Sequence, residues 1–86
     1  MHYNVKVEPT TDILIFIGKA IKERRTQLGY SQEKLSELSK VHRNFISCIE
    51  RGTRNATILT ISQILTALET DIFQFMTEVN PHNNHR

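Results

Sequence analysis

The residues best suited to bind another molecule lie between Ser31 and Asn55, in the run SQEKLSELSKVHRNFISCIERGTRN. Within it, Arg43, Asn44 and Ser47 are spaced so that one polar face of a helix would carry all three. Arginine can hold guanine O6 and N7 together, and asparagine can pair with adenine N7 and N6 in the same bidentate way. Ser47 can reach either base type or a phosphate. We therefore expect this face to read bases in a DNA major groove.

Polar residues on both sides of this face suit the DNA backbone. Free N–H groups at the start of a helix favour phosphate, and so do arginine and the side-chain amides. The residues predicted to contact the backbone on this basis are Ser31, Gln32, His42, Arg51, Arg54 and Asn55. Cys48 lies at the margin of the base-facing set, where it is either a redox-sensitive thiol or only a small side chain that fits.

Charge is distributed unevenly along the chain of 86 residues, which has a net charge of only +2. Residues 40–55 hold four basic side chains and one acid, a net charge of +3. Residues 56–80 hold three acids and no lysine or arginine, a net charge of −3. One end of the molecule should therefore attract a polyanion such as DNA, and the other should not.

Several classes of protein are disfavoured by the sequence. Cys48 is the only cysteine, which excludes an internal disulfide and suits a reducing cytoplasm. The first residues lack the pattern of a signal peptide, and the longest apolar cluster is far shorter than the ~20 residues that span a membrane. No catalytic, nucleotide-binding or metal-binding motif is present, so we expect no enzyme activity, no cofactor and no metal.

The apolar periodicity predicts an all-α fold of five short helices, compact and single-domain, with a helix-turn-helix at helices 2 and 3. Helix 1 is predicted from a cap at Thr11 or Asp12 to about Leu28, before Gly29. The other four are predicted at 32–39, 43–51, 58–68 and 72–79, with caps at Ser31, His42, Thr57 and Asp71. The domain is thus 11–79, between an N-terminal arm, 1–10, and a flexible tail, 80–86.

The same periodicity assigns side chains to the core. The side chains assigned inward include Ile13 and Phe16 of helix 1, Leu35 and Leu38 of helix 2, Ile58 of helix 4 and Met76 of helix 5. Arg24 falls inside the apolar stripe of helix 1, where its stem would pack while its guanidinium reaches water. In the arm, apolar and polar residues alternate over 2–8 as they do in a strand. The arm is then either a loose segment or one that packs on the core or on a second subunit.

Two apolar residues lie off the inward faces: Leu59 on helix 4 and Phe73 on helix 5. Exposed apolar side chains beside a small core suggest a surface for a partner. One short recognition helix reads few base pairs, whereas a two-fold dimer doubles the site and spaces the helices ~34 Å apart. We therefore predict a homodimer with Leu59 and Phe73 in its interface; stray apolar residues are the alternative.

The run GYSQEKLSELSKVHRNFISCIERG resembles the lambda-repressor-like (Xre) helix-turn-helix family, and the resemblance extends over about residues 13–78. Within that family it is most similar to the restriction–modification controller proteins. The resemblance implies base-facing roles for Arg43, Asn44, Ser47 and Cys48, and backbone contacts for Gln32, Arg51, Arg54 and Asn55. For Arg51, Arg54 and Asn55 a minor-groove contact is the alternative that it implies. It also implies that Phe45 lies against the DNA strand, and that Arg25 and Glu50 form an ion pair.

Three positions depart from the family pattern. Lys40 stands where glycine is usual in the turn, so a left-handed conformation there would be strained. Asn44 replaces the common threonine, which suggests a different operator. Phe45 lacks the hydroxyl of the usual tyrosine.

The function expected from these features is sequence-specific regulation of transcription by a homodimer bound to a palindromic operator. A restriction–modification controller would regulate its own gene and that of the endonuclease, and contact with RNA polymerase is left open. The alternatives are a phage or plasmid repressor, and an antitoxin that neutralises a toxin partner and regulates itself. In each case the protein would be cytoplasmic, nucleoid-associated and away from membranes.

Overall fold

The computed structural model describes residues 9–79, and within them the chain forms five helices and no strand. Their bounds are α1 Pro9–Gln27, α2 Gln32–Ser39, α3 Arg43–Glu50, α4 Ile58–Ala67 and α5 Ile72–Val79. The predicted all-α, five-helix fold is confirmed. Because α1 begins at Pro9, it starts before the predicted cap at Thr11 or Asp12; proline is well suited to a first helical position. The strand-like pattern at 2–8 and the tail at 80–86 lie outside the described residues.

Side-chain caps start α2 to α5 where the sequence predicted them, with His42 capping α3. The Ser31 hydroxyl accepts the Lys34 N–H at 2.9 Å, and the Thr57 hydroxyl accepts the Thr60 N–H at 3.1 Å. The Asp71 carboxylate likewise accepts the N–H of residue 74 at 2.9 Å. Each cap satisfies a backbone donor that would otherwise lack a partner in the first turn.

One apolar core joins all five helices. Its buried members are Ile21, Leu35, Val41, Ile46, Ile49, Ile61, Ile64, Leu65, Leu68 and Phe75. α1 to α4 supply most of the aliphatic side chains, Val41 comes from the turn after α2, and α5 supplies Phe75. Such a core leaves the opposite stripe of α3 free to face outward.

Five of the predicted inward positions are wrong. Ile58 is 70% exposed, and four others are 40 to 47% exposed: Ile13, Phe16, Leu38 and Met76. Leu38 and Ile58 lie near the ends of short helices, where the periodicity continues although no other element covers the side chain. Burial there depends on neighbouring helices, which the local pattern does not specify.

α1 lies close against the end of α3 at Gly18. A Cβ at this position would come within 3 Å of the carbonyl oxygens of both Ile49 and Glu50. Gly18 is therefore required by packing, although glycine within a helix ordinarily lowers stability. This role was not predicted from the sequence; the available signal was a lone glycine inside an apolar helical pattern.

Arg24 does not extend its guanidinium into water as predicted. Its Nε donates to the Leu68 carbonyl at 2.7 Å, and Nη2 donates to the Glu69 carbonyl at 3.1 Å. These carbonyls end α4, where Glu69 has a left-handed backbone with φ 64°. A cation at a helix C-terminus satisfies carbonyls that lack partners and interacts favourably with the helix dipole. Arg24 thus joins α1 to the end of α4.

Lys40 adopts the left-handed conformation, with φ 65° and ψ 18°, directly after α2. Its N–H donates to the Ser36 carbonyl at 2.9 Å and so ends the helix. A side chain with a Cβ is strained in this region, where glycine is not. The conformation that the family pattern implied is thus present, with lysine in it.

Replacing Lys40 with glycine should raise the free energy of unfolding by roughly 0.5–1 kcal/mol, because relief of the strain outweighs the added freedom of the unfolded chain. Urea denaturation with an unchanged m-value would measure this. The matched control is Lys34→Gly within α2, which should lower stability by about 1 kcal/mol. Equal losses in both variants would contradict the strain at Lys40.

Candidate nucleic-acid interface

The turn between α2 and α3 is fixed by short hydrogen bonds. The Ser36 hydroxyl donates to the Val41 carbonyl at 2.7 Å, and the Val41 N–H donates to the Ser39 hydroxyl at 3.2 Å. Val41 itself is buried in the core. Since both helices are anchored at the turn, the angle between them is set by the protein before any ligand binds.

The exposed end of α3 begins with the two residues predicted to read bases. Arg43 and Asn44 are both exposed, in the first turn of the helix. His42 caps that turn, since its Nδ1 accepts the Asn44 N–H at 3.0 Å. The ring therefore positions the backbone from which both side chains extend.

Ser31, Gln32 and Arg43 are brought together around one shallow cleft of about 310 Å³. The cleft is also lined by Arg25 and Glu33, so two arginines and the start of α2, which suit an anion, share it with one acidic residue. The Gln32 amide, however, donates to Glu50 Oε1 at 3.0 Å, toward the interior. Because one amide hydrogen of Gln32 is used in this way, Gln32 can contact a phosphate only through its second amide hydrogen or its backbone N–H.

Behind this cleft, Arg25 and Glu50 form a bidentate ion pair. Arg25 Nε donates to Glu50 Oε2 at 2.7 Å, and Nη2 donates to Oε1 at 3.0 Å. Arg25 Nη1 also donates to the Tyr30 carbonyl at 2.7 Å. Both charged residues are buried. Together with the Gln32 amide, the pair joins α1, the start of α2 and the end of α3.

The other edge of α3 holds two arginines in different surroundings. Arg51 donates through Nη1 to the Ser47 hydroxyl at 2.5 Å and through Nη2 to the Cys48 sulfur at 3.4 Å. The Arg54 guanidinium lies 4.7 Å from the centre of the Phe45 ring, a cation–π distance. Asn55 follows in the exposed segment before α4, so this edge is polar and basic.

Leu59 and Phe73, the predicted interface residues, lie outside the helix-turn-helix. Leu59 on α4 is 75% exposed and Phe73 on α5 is 81% exposed. Neither contributes to the core. Their side chains add apolar surface to the acidic part of the chain, which contains none of the predicted DNA contacts.

Two other classes of feature are absent from the described residues 9–79. No group of three or more histidine, cysteine, aspartate or glutamate side chains in this range is arranged to hold a metal ion. Among the same residues, every helix is too short or too polar to cross a membrane.

The helix-turn-helix family model matches residues 21–75, a span that includes α2, the turn and α3. The control protein C.SmaI of Serratia marcescens is 33% identical over 66 residues, covering 77% of this chain and 79% of that protein. The chain is a member of the helix-turn-helix family of control proteins. C.BamHI of Bacillus amyloliquefaciens is another relative in this family. It is 40% identical over 60 residues, which cover 69% of this chain and 74% of C.BamHI.

Solved structures of the same family share the fold. The controller protein C.Esp1396I, solved as a tetramer with its natural 35 base-pair operator, has a TM-score of 0.74 and 34% identity, covering 78% of this chain and 88% of that one. C.AhdI of Aeromonas hydrophila has a TM-score of 0.71 and 34% identity over 74% of this chain and 97% of that one. The lambda-repressor-like fold expected from the sequence is thus confirmed, with α2 and α3 as its helix-turn-helix.

Proposed function

We propose that the chain is a restriction–modification controller protein, which binds a palindromic operator as a homodimer and regulates its own gene and that of the endonuclease. α3 enters the major groove, where Arg43, Asn44, Ser47 and Cys48 face the bases. Ser31, Gln32, His42, Phe45, Arg51, Arg54 and Asn55 contact the strands on either side. The protein acts by binding alone, without catalysis, in the cytoplasm and on the nucleoid.

The observation that carries this proposal is the position of Arg43 and Asn44. Both are exposed in the first turn of α3, on a helix whose opposite face is buried through Ile46 and Ile49. A recognition helix contacts base edges with its N-terminal residues, and these two side chains can pair bidentately with guanine and adenine. The basic segment 40–55 supplies the attraction to phosphate.

Replacing Arg43 with alanine should weaken binding to the specific site by about 1–3 kcal/mol, roughly 5- to 150-fold, and binding to random DNA far less. The site would be the sequence that the wild-type protein enriches from a random duplex pool, and fluorescence anisotropy would give both affinities. Lys34→Ala, which removes an exposed cation from α2, is the control and should leave the ratio of the two affinities unchanged. Equal losses on both DNAs for Arg43→Ala would exclude a base-reading role.

The dimer is proposed from the acidic part of the chain. Ile58 and Met76 are exposed there in addition to Leu59 and Phe73, so four large apolar side chains face outward on α4 and α5. Large exposed apolar surface on a small protein suggests an interaction site. Because this part carries no predicted DNA contact, a second copy can pack there while both recognition helices remain free.

Phe73→Asp should therefore shift the protein from dimer to monomer in sedimentation at micromolar concentration, since two carboxylates would be placed in an apolar interface. The control is Gln74→Asp, which adds the same charge at the neighbouring exposed residue of α5. This variant should still sediment with the mass of a dimer. A dimeric mass for Phe73→Asp would locate the interface elsewhere.

A further inference from the structure

Arg51 has a defined position on the outer surface of α3. It follows the last residue of the helix, and its side chain runs back by one turn to Ser47 and Cys48. Residues three and four apart on a helix are neighbours, so this arrangement keeps the guanidinium over the stripe that also carries Asn44. The guanidinium therefore lies on the base-facing side of α3 and not beyond its end.

The bond to Arg51 changes what Ser47 can do. Ser47 is half-buried, whereas Arg51 is exposed, so the guanidinium and not the hydroxyl is the outermost polar group at this point. A hydroxyl has two acceptor lone pairs and one donor, and one lone pair is occupied by Arg51 Nη1. Arginine has five N–H donors, and three remain after the bonds to oxygen and sulfur.

Arg54, the other arginine at this edge, is held differently. Its guanidinium lies over the Phe45 ring, 4.7 Å from the ring centre. A cation–π contact holds Arg54 over an aromatic face, whereas two hydrogen bonds hold the Arg51 guanidinium along the recognition helix. The two arginines were both predicted from the sequence to be backbone contacts, but they lie in distinct settings.

We infer that Arg51, assigned above to the DNA strands, instead reads a base, most suitably guanine, through a guanidinium that Ser47 and Cys48 hold in place. Ser47, assigned above to the bases, is then a positioning residue for Arg51. The inference rests on the proposed function, because it assumes that α3 lies in the major groove. A guanidinium held before binding loses less conformational entropy when it meets the base, and its planar fork matches guanine O6 and N7. The second acceptor, the Cys48 sulfur, is the weaker one at 3.4 Å.

The test is selection of bound sequences from a pool of random duplexes by the wild-type protein and by Arg51→Ala, Arg51→Lys, Ser47→Ala and Arg43→Ala. Arg51→Ala should lose the preference at one base pair of each half-site, with an affinity loss of about 5- to 150-fold at that pair. Ser47→Ala should weaken the preference at the same pair, and Arg43→Ala at a different one. Arg51→Lys keeps the charge but not the fork, so the preference at that pair should fall while the loss on random DNA stays smaller than that of Arg51→Ala.

A double variant distinguishes positioning from independent reading. If Ser47 acts through Arg51, Ser47→Ala should add no further loss when Arg51 is already alanine, because coupled residues are non-additive. Additive losses, or losses at two different base pairs, would overturn the role of Ser47. An unchanged selected motif with Arg51→Ala would make Arg51 a phosphate contact and overturn the inference. Failure of the wild-type protein to select any motif would instead overturn the proposed function.

Discussion

Replacing Arg25 with methionine is expected to lower the free energy of unfolding by about 3–5 kcal/mol, a larger effect than any other substitution proposed for this chain. The substitution keeps an aliphatic stem of similar size but leaves the buried Glu50 carboxylate without its cation. Two of the three bonds that Arg25 makes are to that carboxylate, at 2.7 and 3.0 Å. An unpaired buried charge costs far more than a lost surface pair, because water cannot solvate it. Urea denaturation followed by circular dichroism would measure the loss.

The exposed pair Lys34–Glu37 provides the control, with Nζ and Oε1 3.9 Å apart on α2. Lys34→Ala should change stability by less than about 1 kcal/mol. The double variant Arg25→Met with Glu50→Leu should recover much of the loss, because no charge is then left unpaired. A loss for Arg25→Met as small as that for Lys34→Ala would mean that water reaches Glu50 in the folded protein.

Gly18→Ala is expected to lower the free energy of unfolding by about 2–3 kcal/mol, although alanine is the better helix former. The added Cβ would meet two backbone carbonyls of α3, one of them, that of Glu50, at 2.9 Å. Backbone cannot move aside as a flexible side chain can, so α1 must shift away from α3 and the core loosens. Thermal and urea denaturation would both detect a loss of this size.

Gly29→Ala separates crowding from backbone conformation. Gly29 has φ +77°, and a Cβ added there would have no atom within 4 Å apart from those of its chain neighbours. Only the conformational penalty of about 1–2 kcal/mol therefore applies at Gly29. At Gly18 the two effects are reversed. The helical backbone there suits alanine without penalty, but an added Cβ would be crowded by α3. If Gly18→Ala raised stability by about 1 kcal/mol, as in an open helix, the close contact between α1 and α3 would be refuted.

Features governed by local chemistry were predictable from the sequence. The caps at Ser31, Thr57 and Asp71 depend on a side chain and an N–H three residues later, and all three are present. The left-handed backbone at Lys40 was implied by the family pattern, which has glycine at this point of the turn after α2. Such features need no knowledge of the remaining fold.

Features that depend on distant partners were missed or assigned wrongly. Arg24 binds the Leu68 carbonyl 44 residues away, and no periodicity in α1 indicates where that carbonyl lies. Gly18 is explained only by the backbone of α3 across the interface. Ile58 continues the apolar stripe of α4, but its side chain is exposed.

The same distinction between local causes and distant partners applies to the candidate site. Exposure of Arg43 and Asn44 follows from the helical wheel of α3, because the opposite stripe is apolar. The hydrogen bond between Arg51 and Ser47 could also be predicted, since the residues are four apart on a helix. The inward hydrogen bond from Gln32 to Glu50 could not be predicted, because it depends on how closely α2 approaches the end of α3.

The most direct test of sequence-specific binding by a two-fold dimer is selection from a random duplex pool with the wild-type protein. The predicted result is one enriched motif made of two inverted half-sites, with centres ~34 Å or about 10 base pairs apart, one turn of DNA. Failure to enrich any sequence above the starting pool, or enrichment of a single unrepeated half-site, would contradict it.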